Sequence, residues 1–186
     1  MIFREVEDRD LIGQARRDNV EAYNLLVSRW EKRIYNYLLR LVKNREDALD
    51  LAQDVFLKAY QNLRKLEDPD RFAPWIYRIA HNEAYSYLRK NRPETDLDEA
   101  RFEPWLEPGP GRRMLPIEVS IAVERALTRL SNDQREAVVL KIYQGFKFEE
   151  MADILECPVS TVKSRLYTAL DLLKDTLTSA PVRGAE

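Results

Sequence analysis

Residues 20–42 carry one unbroken apolar stripe, Tyr23, Leu26, Trp30, Ile34, Tyr37, Leu38 and Leu41, whose spacing of three and four suits a long helix. The same rhythm persists along most of the chain and period-two alternation is absent, so the expected fold class is all-α. A short helix is predicted over Asp10–Arg17, then one over Val20–Val42 that Asn44 closes as a C-terminal cap. The next spans Arg45–Leu63 and buries Ala48, Leu51, Ala52, Val55, Phe56 and Ala59; Pro69 then interrupts the chain before a helix over Phe72–Lys90. These helices form a first domain, residues 1–92.

Pro93, Pro104, Pro108, Gly109, Pro110, Gly111 and Pro116 crowd the following stretch, which lacks sustained periodicity. Between Glu94 and Glu107, the acidic residues Glu94, Asp96, Asp98, Glu99, Glu103 and Glu107 oppose Arg101 alone, so residues 93–116 read as a flexible acidic linker. A second small helical domain, 117–178, and a tail, 179–186, complete the chain. Val119, Val123, Ala126, Leu127 and Leu130 share one face of its first helix, and a second helix runs from Asn132 to Gln144 before Gly145. With 186 residues and 45% hydrophobic content the chain can build one or two small cores, and its net charge of −2 conceals opposed basic and acidic blocks.

Two short amphipathic helices joined by a tight turn lie between Phe146 and Leu173. Phe148, Met151, Ala152 and Leu155 stripe the first, which must stop near Glu156 because Pro158 disfavours helical geometry at Cys157. Ser160 stands where it can cap the second, whose Val162, Leu166, Ala169, Leu170 and Leu173 form another stripe. The opposite face gathers Thr161, Lys163, Ser164, Arg165 and Tyr167, side chains suited to phosphates and base edges in a major groove. The same hairpin also occurs in helical bundles that never meet DNA.

Two further patterns admit two readings each. Asp47, Asp50, Asp54 and Gln61 line one side of the third helix with Gln53 beside them, either as an ordinary solvated face favoured by the helix dipole or as a docking stripe. The segment FAPWIYRIAHNEAYSYLRKNR interleaves aromatics with cations and amides, which suits unstacked bases, yet Trp75, Ile76, Ile79 and Tyr87 equally suit a core. About half of its aromatics are expected to be buried.

Several classes are excluded. Cys157 is the only cysteine, so no intrachain disulfide forms, and packing between helices is its expected role rather than redox sensing. His81 is the only histidine, and neither a glycine-lysine phosphate loop nor a Gly-x-Ser-x-Gly turn is present, so no enzyme, metal site or cofactor is expected. Met1 leads into charged residues, and a soluble, cytoplasmic protein without membrane insertion is expected.

DALDLAQDVFLKAY (Asp47–Tyr60), PWIYRIAHNEAYSYLRKNR and LSNDQREAVVLKIYQGFKFEEMADILECPVSTVKSRL (Leu130–Leu166), in this order, resemble a bacterial RNA polymerase sigma factor of the extracytoplasmic function group. The resemblance implies a sigma region 2 bundle and a region 4 helix-turn-helix. Asp47, Asp50, Gln53 and Asp54 would then bind the clamp of the polymerase largest subunit, with region 4 on the flap of the second. Arg71, Phe72, Trp75, Arg78, His81, Asn82, Arg89 and Lys90, with the loop from Glu67, would melt and read the minus-10 element. Ser160, Thr161, Lys163, Ser164, Arg165 and Tyr167 would read the minus-35 element. Promoter DNA, core RNA polymerase and an anti-sigma factor are the implied partners. A linker of this length extends to at most about 80 Å, enough for promoter elements roughly 68 Å apart.

Three departures from the family pattern stand out. Leu49 replaces an acidic residue, Lys147 replaces a Ser or Thr cap, and Thr168, Leu170 and Asp171 stand where a basic run is common. The other readings are a stand-alone helix-turn-helix regulator and a helical adaptor; the first domain shows no alternating strand and helix pattern of a phosphoacceptor module.

Overall fold

The computed structural model describes residues 6–91 and 117–179, and the side chains of all but Ile117, Glu118, Ser120 and Ser179 among them. The chain divides into two compact units at Asp96 and Leu97, and among the described residues every regular element is helical. The linker expected at 93–116 and, apart from Ser179, the tail expected at 179–186 lie outside the described residues.

Among the described residues four helices build the first unit: α1 (Asp8–Ala15), α2 (Val20–Val42), α3 (Arg45–Asn62) and α4 (Phe72–Lys90). Asn19 starts α2 by accepting from the Ala22 N–H at 3.1 Å. Lys43, not Asn44, ends it: Lys43 takes the left-handed conformation at φ 59° and donates its N–H to Leu39. Asn44 instead opens α3, its Oδ1 accepting from the Asp47 N–H at 3.1 Å. With only Lys43 and Asn44 between the two helices, Lys43 closes the first, and Asn44, already extended, serves the helix ahead. A single 3₁₀ turn, Leu63–Lys65, tightens the end of α3, and a second, Pro69–Arg71, leads into α4 with Asp68 as its cap.

The core packs the α2 stripe against small residues of its neighbours. Ile34, Tyr37 and Leu38 are fully buried, as are Ala48, Val55 and Ala59 of α3 and Ile76, Ala80 and Ala84 of α4. Alanines on the facing helices admit the two large rings, and Tyr37 meets Tyr77 edge to face at 5.0 Å between centroids. Leu11, Ile12 and Ala15 add α1 to this core.

The second unit holds α5 (Ile117–Thr128), α6 (Asn132–Val138), α7 (Phe148–Leu155) and α8 (Val159–Ser179). Ser131 and Gln134 cap α6 reciprocally. Past Val138 the helix widens into one π-helical turn, Val139–Tyr143, where the Gln144 N–H reaches back to Val139 at 3.1 Å. Gly145 then reverses the chain at φ 76°. Val119 is exposed and Val123 half-buried, so only Ala126, Leu127 and Leu130 of the expected α5 face enter the core.

Arg135 is 4% exposed and closes the α5–α6 turn from inside. Its guanidinium donates to the carbonyls of Leu127 (2.9 Å), Thr128 (3.3 Å) and Leu130 (2.7 Å) and to the Asn132 side chain (3.2 Å). Leu127 and Thr128 lie in the last turn of α5, where carbonyls lack helical partners, and Leu130 in the turn beyond it; the Leu127 carbonyl also accepts the Leu130 N–H at 3.2 Å.

Candidate nucleic-acid interface

The α7–α8 hairpin has the turn that Pro158 dictates. Glu156 ends α7 in the left-handed region at φ 51°, and the Pro158 carbonyl accepts the Thr161 and Val162 N–H groups at 2.9 and 3.1 Å. α8 therefore begins at Val159, and Ser160 sits exposed in its first turn rather than at the cap, because the Pro158 carbonyl already makes the first helical bonds. At the start of α7, Lys147 has no acceptor to offer, but Glu150 accepts from the Lys147 N–H at 2.7 Å and supplies half of a capping box.

Val162, Leu166, Ala169 and Leu173 are buried as expected, whereas Leu170 is 36% exposed. On the outer face Lys163, Ser164 and Tyr167 are exposed and Thr161 half-buried. Lys163 leans over the Phe148 ring, 5.2 Å from its centroid, and Lys141 approaches the same ring at 4.5 Å. Arg165 turns away from this face. It pairs with Asp133 of α6 at 2.8 Å and points another nitrogen at the Cys157 sulfur, 4.0 Å away. Burial pushes the Cys157 thiol up against the pull of the Arg165 charge, which keeps it protonated and packed.

In the first unit, Asp50, Gln53 and Asp54 of the acidic stripe are exposed on α3, with Leu49 and Leu57 exposed beside them at 52% and 56%. Asp47 is half-buried and turned toward α4, where it accepts the Tyr87 hydroxyl at 2.5 Å. Burial and this carboxylate push the Tyr87 hydroxyl up to about 12.

A cleft of about 340 Å³ opens between α3 and α4, lined by Lys58, Asn62, Lys65, Trp75, Arg78 and Asn82. Lys58 pairs with Glu83 at its edge. Trp75 is half-buried, Arg78 and Asn82 are exposed, and His81 packs on Tyr85 at 4.4 Å. Arg71, Arg89 and Lys90 are exposed, Arg89 donating to Ser86 at 3.3 Å. Phe72 departs from expectation: at 3% exposure it is wedged between Trp30 and Trp75, centroids 5.5 and 5.8 Å away, and offers no face to a base. The periodicity that puts Phe72 beside Trp75 also puts it on the core face of α4. Of the segment's aromatics only Phe72 and Tyr77 are buried, while Trp75, Tyr85 and Tyr87 are half-buried.

Lys58, Asn62 and Lys65 escaped the sequence reading because they come from the far end of α3 and the 3₁₀ turn after it, and only packing brings them to α4. Arg135 escaped it too, although a charge three and four residues before Val138 and Val139 was the available signal.

Residues 26–94 match the family model Sigma-70 region 2, and residues 120–173 match the model Sigma-70, region 4. Over 186 aligned residues the chain is 31% identical to the RNA polymerase sigma-H factor of Pseudomonas aeruginosa, covering 95% of this chain and 96% of that one. The chain belongs to the sigma-70 family, in its extracytoplasmic function group. It is 32% identical to the ECF RNA polymerase sigma-E factor of Escherichia coli over 179 residues, covering 91% and 93% of the two chains. Among solved structures it resembles CnrH in complex with the cytosolic domain of CnrY, at a TM-score of 0.68 and 26% identity, covering 94% and 99% of the chains. It also resembles the Bartonella quintana sigma factor RpoE in complex with the anti-sigma factor NepR, at 0.67 and 27%, covering 86% and 98%. As a sigma factor it directs promoter-specific transcription initiation, and the stand-alone regulator is not favoured. Among the described residues no helix is long and apolar enough to cross a membrane.

Proposed function

We propose that this sigma factor docks on core RNA polymerase through the outer face of α3, opens the minus-10 element by capturing unstacked bases in the α3–α4 cleft, and reads the minus-35 element with the start of α8. The cleft is the observation that carries this reading. A half-buried tryptophan flanked by Lys58, Lys65, Arg78 and Asn82 combines a stacking face, cations for a backbone and an amide for a base edge.

Asp50, Gln53 and Asp54 make the polymerase contact, and Asp47 supports them from the α4 side. Arg71, His81, Arg89 and Lys90 follow the nontemplate strand. Ser160, Thr161, Lys163, Ser164 and Tyr167 face the minus-35 duplex, while Phe72 and Arg165 hold their helices in place. The protein is a specificity subunit without chemistry of its own and works in the cytoplasm. An anti-sigma factor is a further proposed partner, supported by the solved relative RpoE, whose structure is a complex with the anti-sigma factor NepR.

The test is promoter-selective transcription by core polymerase with the intact chain, an Asp50→Ala, Gln53→Ala double variant, and Trp75→Ala. The double variant is expected to lose polymerase binding. Trp75→Ala is expected to keep it and lose strand opening, read as permanganate reactivity, with activity restored on a pre-melted promoter. Duplex binding with no polymerase binding by the intact chain would overturn the reading in favour of a stand-alone regulator.

A further inference from the structure

The loop between α3 and α4 is tied down from α1, an element that carries none of the nucleic-acid candidates. Arg16, at the C-terminal end of α1, donates its Nε to the Leu63 carbonyl at 3.3 Å and its Nη2 to the Leu66 carbonyl. Leu63 and Leu66 are buried at 2% and 5% exposure, so their side chains anchor in the core while their carbonyls meet the guanidinium. The Leu63 carbonyl also accepts the Leu66 N–H at 3.3 Å across the 3₁₀ turn, so the guanidinium, from 47 and 50 residues earlier in the chain, adds a second donor there and one at the extended Leu66 beyond it. Two ion pairs flank the clamp: Asp18 holds Arg64 at 2.8 Å, and Arg9 holds Asp70 at 3.2 Å. Both are well exposed and weak singly, whereas the charge-assisted bonds of the half-buried Arg16 are the strong ones.

We infer that Arg16 is a positioning residue for base capture: it caps α3 from outside and so fixes the loop wall of the α3–α4 cleft. Lys65 lies between the two bonded carbonyls and lines the cleft together with Asn62, whose own side chain bonds back to Lys58 at 2.8 Å. Releasing Leu63 and Leu66 frees that wall while α3, α4 and the polymerase-docking face keep their cores. The inference rests on the proposed capture of unstacked bases in this cleft.

The test uses full-length protein with core polymerase on a promoter recovered by transcribing genomic fragments of the source organism. The minus-10 segment is built as an unpaired bubble, in its native sequence and with each nontemplate base replaced in turn. The ratio of initiation on native and replaced bubbles measures base discrimination. Arg16→Ala is expected to reduce that ratio about tenfold, the effect of losing roughly 1.4 kcal/mol of positioning, with unchanged polymerase affinity. Arg16→Lys keeps one donor direction and falls between, while Arg9→Ala, breaking only an exposed pair, matches the intact chain. Amide exchange in free Arg16→Ala is expected to quicken within residues 63–71 and not in the buried turns of α2 and α4. If the alanine variant fails to fold, the lysine variant carries the same comparison. Full discrimination by Arg16→Ala, or exchange rising through the whole first unit, would overturn the inference alone. No discrimination by the intact chain would overturn the capture reading, and the inference with it.

Discussion

Gly13 and Gly145 are chemically identical and expected to respond oppositely to a methyl group. Gly13 lies inside α1, and a Cβ added there meets nothing within 4 Å. Gly13→Ala therefore gains helix propensity without a clash and should stabilise the first unit by roughly 0.5 to 1 kcal/mol. At Gly145 the added atom also meets open space, but φ is 76°, so alanine is strained by about 1 kcal/mol or more. Urea unfolding of the two variants should move the midpoint in opposite directions. Tyr87 gives a pH signature at the same scale. Its hydroxyl ionises near 10.0 when free and near 12 when folded, so the unfolded chain loses its proton first. The stability this group contributes is complete below about pH 10 and is lost as pH rises toward about 12. Tyr87→Phe should make alkaline unfolding less steep over that window, measured by denaturant titration at several pH values.

Elements were legible where one local signal sufficed. The α2 and α4 boundaries follow from their stripes and from the breaks around them, and the turn at Glu156 follows from Pro158. Features needing two signals at once were not. Asn44 is a good cap at either end of a helix, and only the two-residue link between α2 and α3, with Lys43 taking the left-handed closing position, decides that it serves the second. Phe72 and Trp75 read alike in sequence, yet Phe72 meets Trp30, a contact from another helix that periodicity cannot assign. Arg165 looks like a DNA-facing cation until α6 brings Asp133 to it. Arg135 is the clearest case, since a charge in an apolar register is an anomaly in sequence and a four-acceptor cap in space. Arg135→Met, which keeps the apolar stem and removes the donors, takes the guanidinium from the buried Leu130 carbonyl at about 1 to 3 kcal/mol. It should lower the melting temperature of the second unit while the first unit's transition stays where it was, as followed by calorimetry of the full chain.

Across the whole molecule, the charge distribution argues for a division of labour between this chain and polymerase. The net charge is −2, so no global field draws the free protein to DNA. On the helix-turn-helix, Lys163 is exposed, but Arg165 is engaged by Asp133, and Glu149 and Asp153 are exposed on α7. Few phosphates can be neutralised by such a surface, and the affinity of the free chain for duplex is expected to be weaker than about 1 µM at physiological salt, with a log-log salt slope of only about −2 to −4. Fluorescence anisotropy of a labelled promoter duplex, titrated across salt without polymerase, measures both. Lys163→Ala should bring the slope about 0.9 closer to zero, as the loss of one phosphate contact requires. Arg165→Ala should leave the slope alone and instead lower the melting temperature of the second unit, because its charge is spent on α6. Nanomolar duplex binding by the free chain would contradict the proposed dependence on polymerase. Weak binding that core polymerase converts into promoter-specific occupancy is the outcome that the α3 face, the cleft and the sparse charge of α8 jointly require.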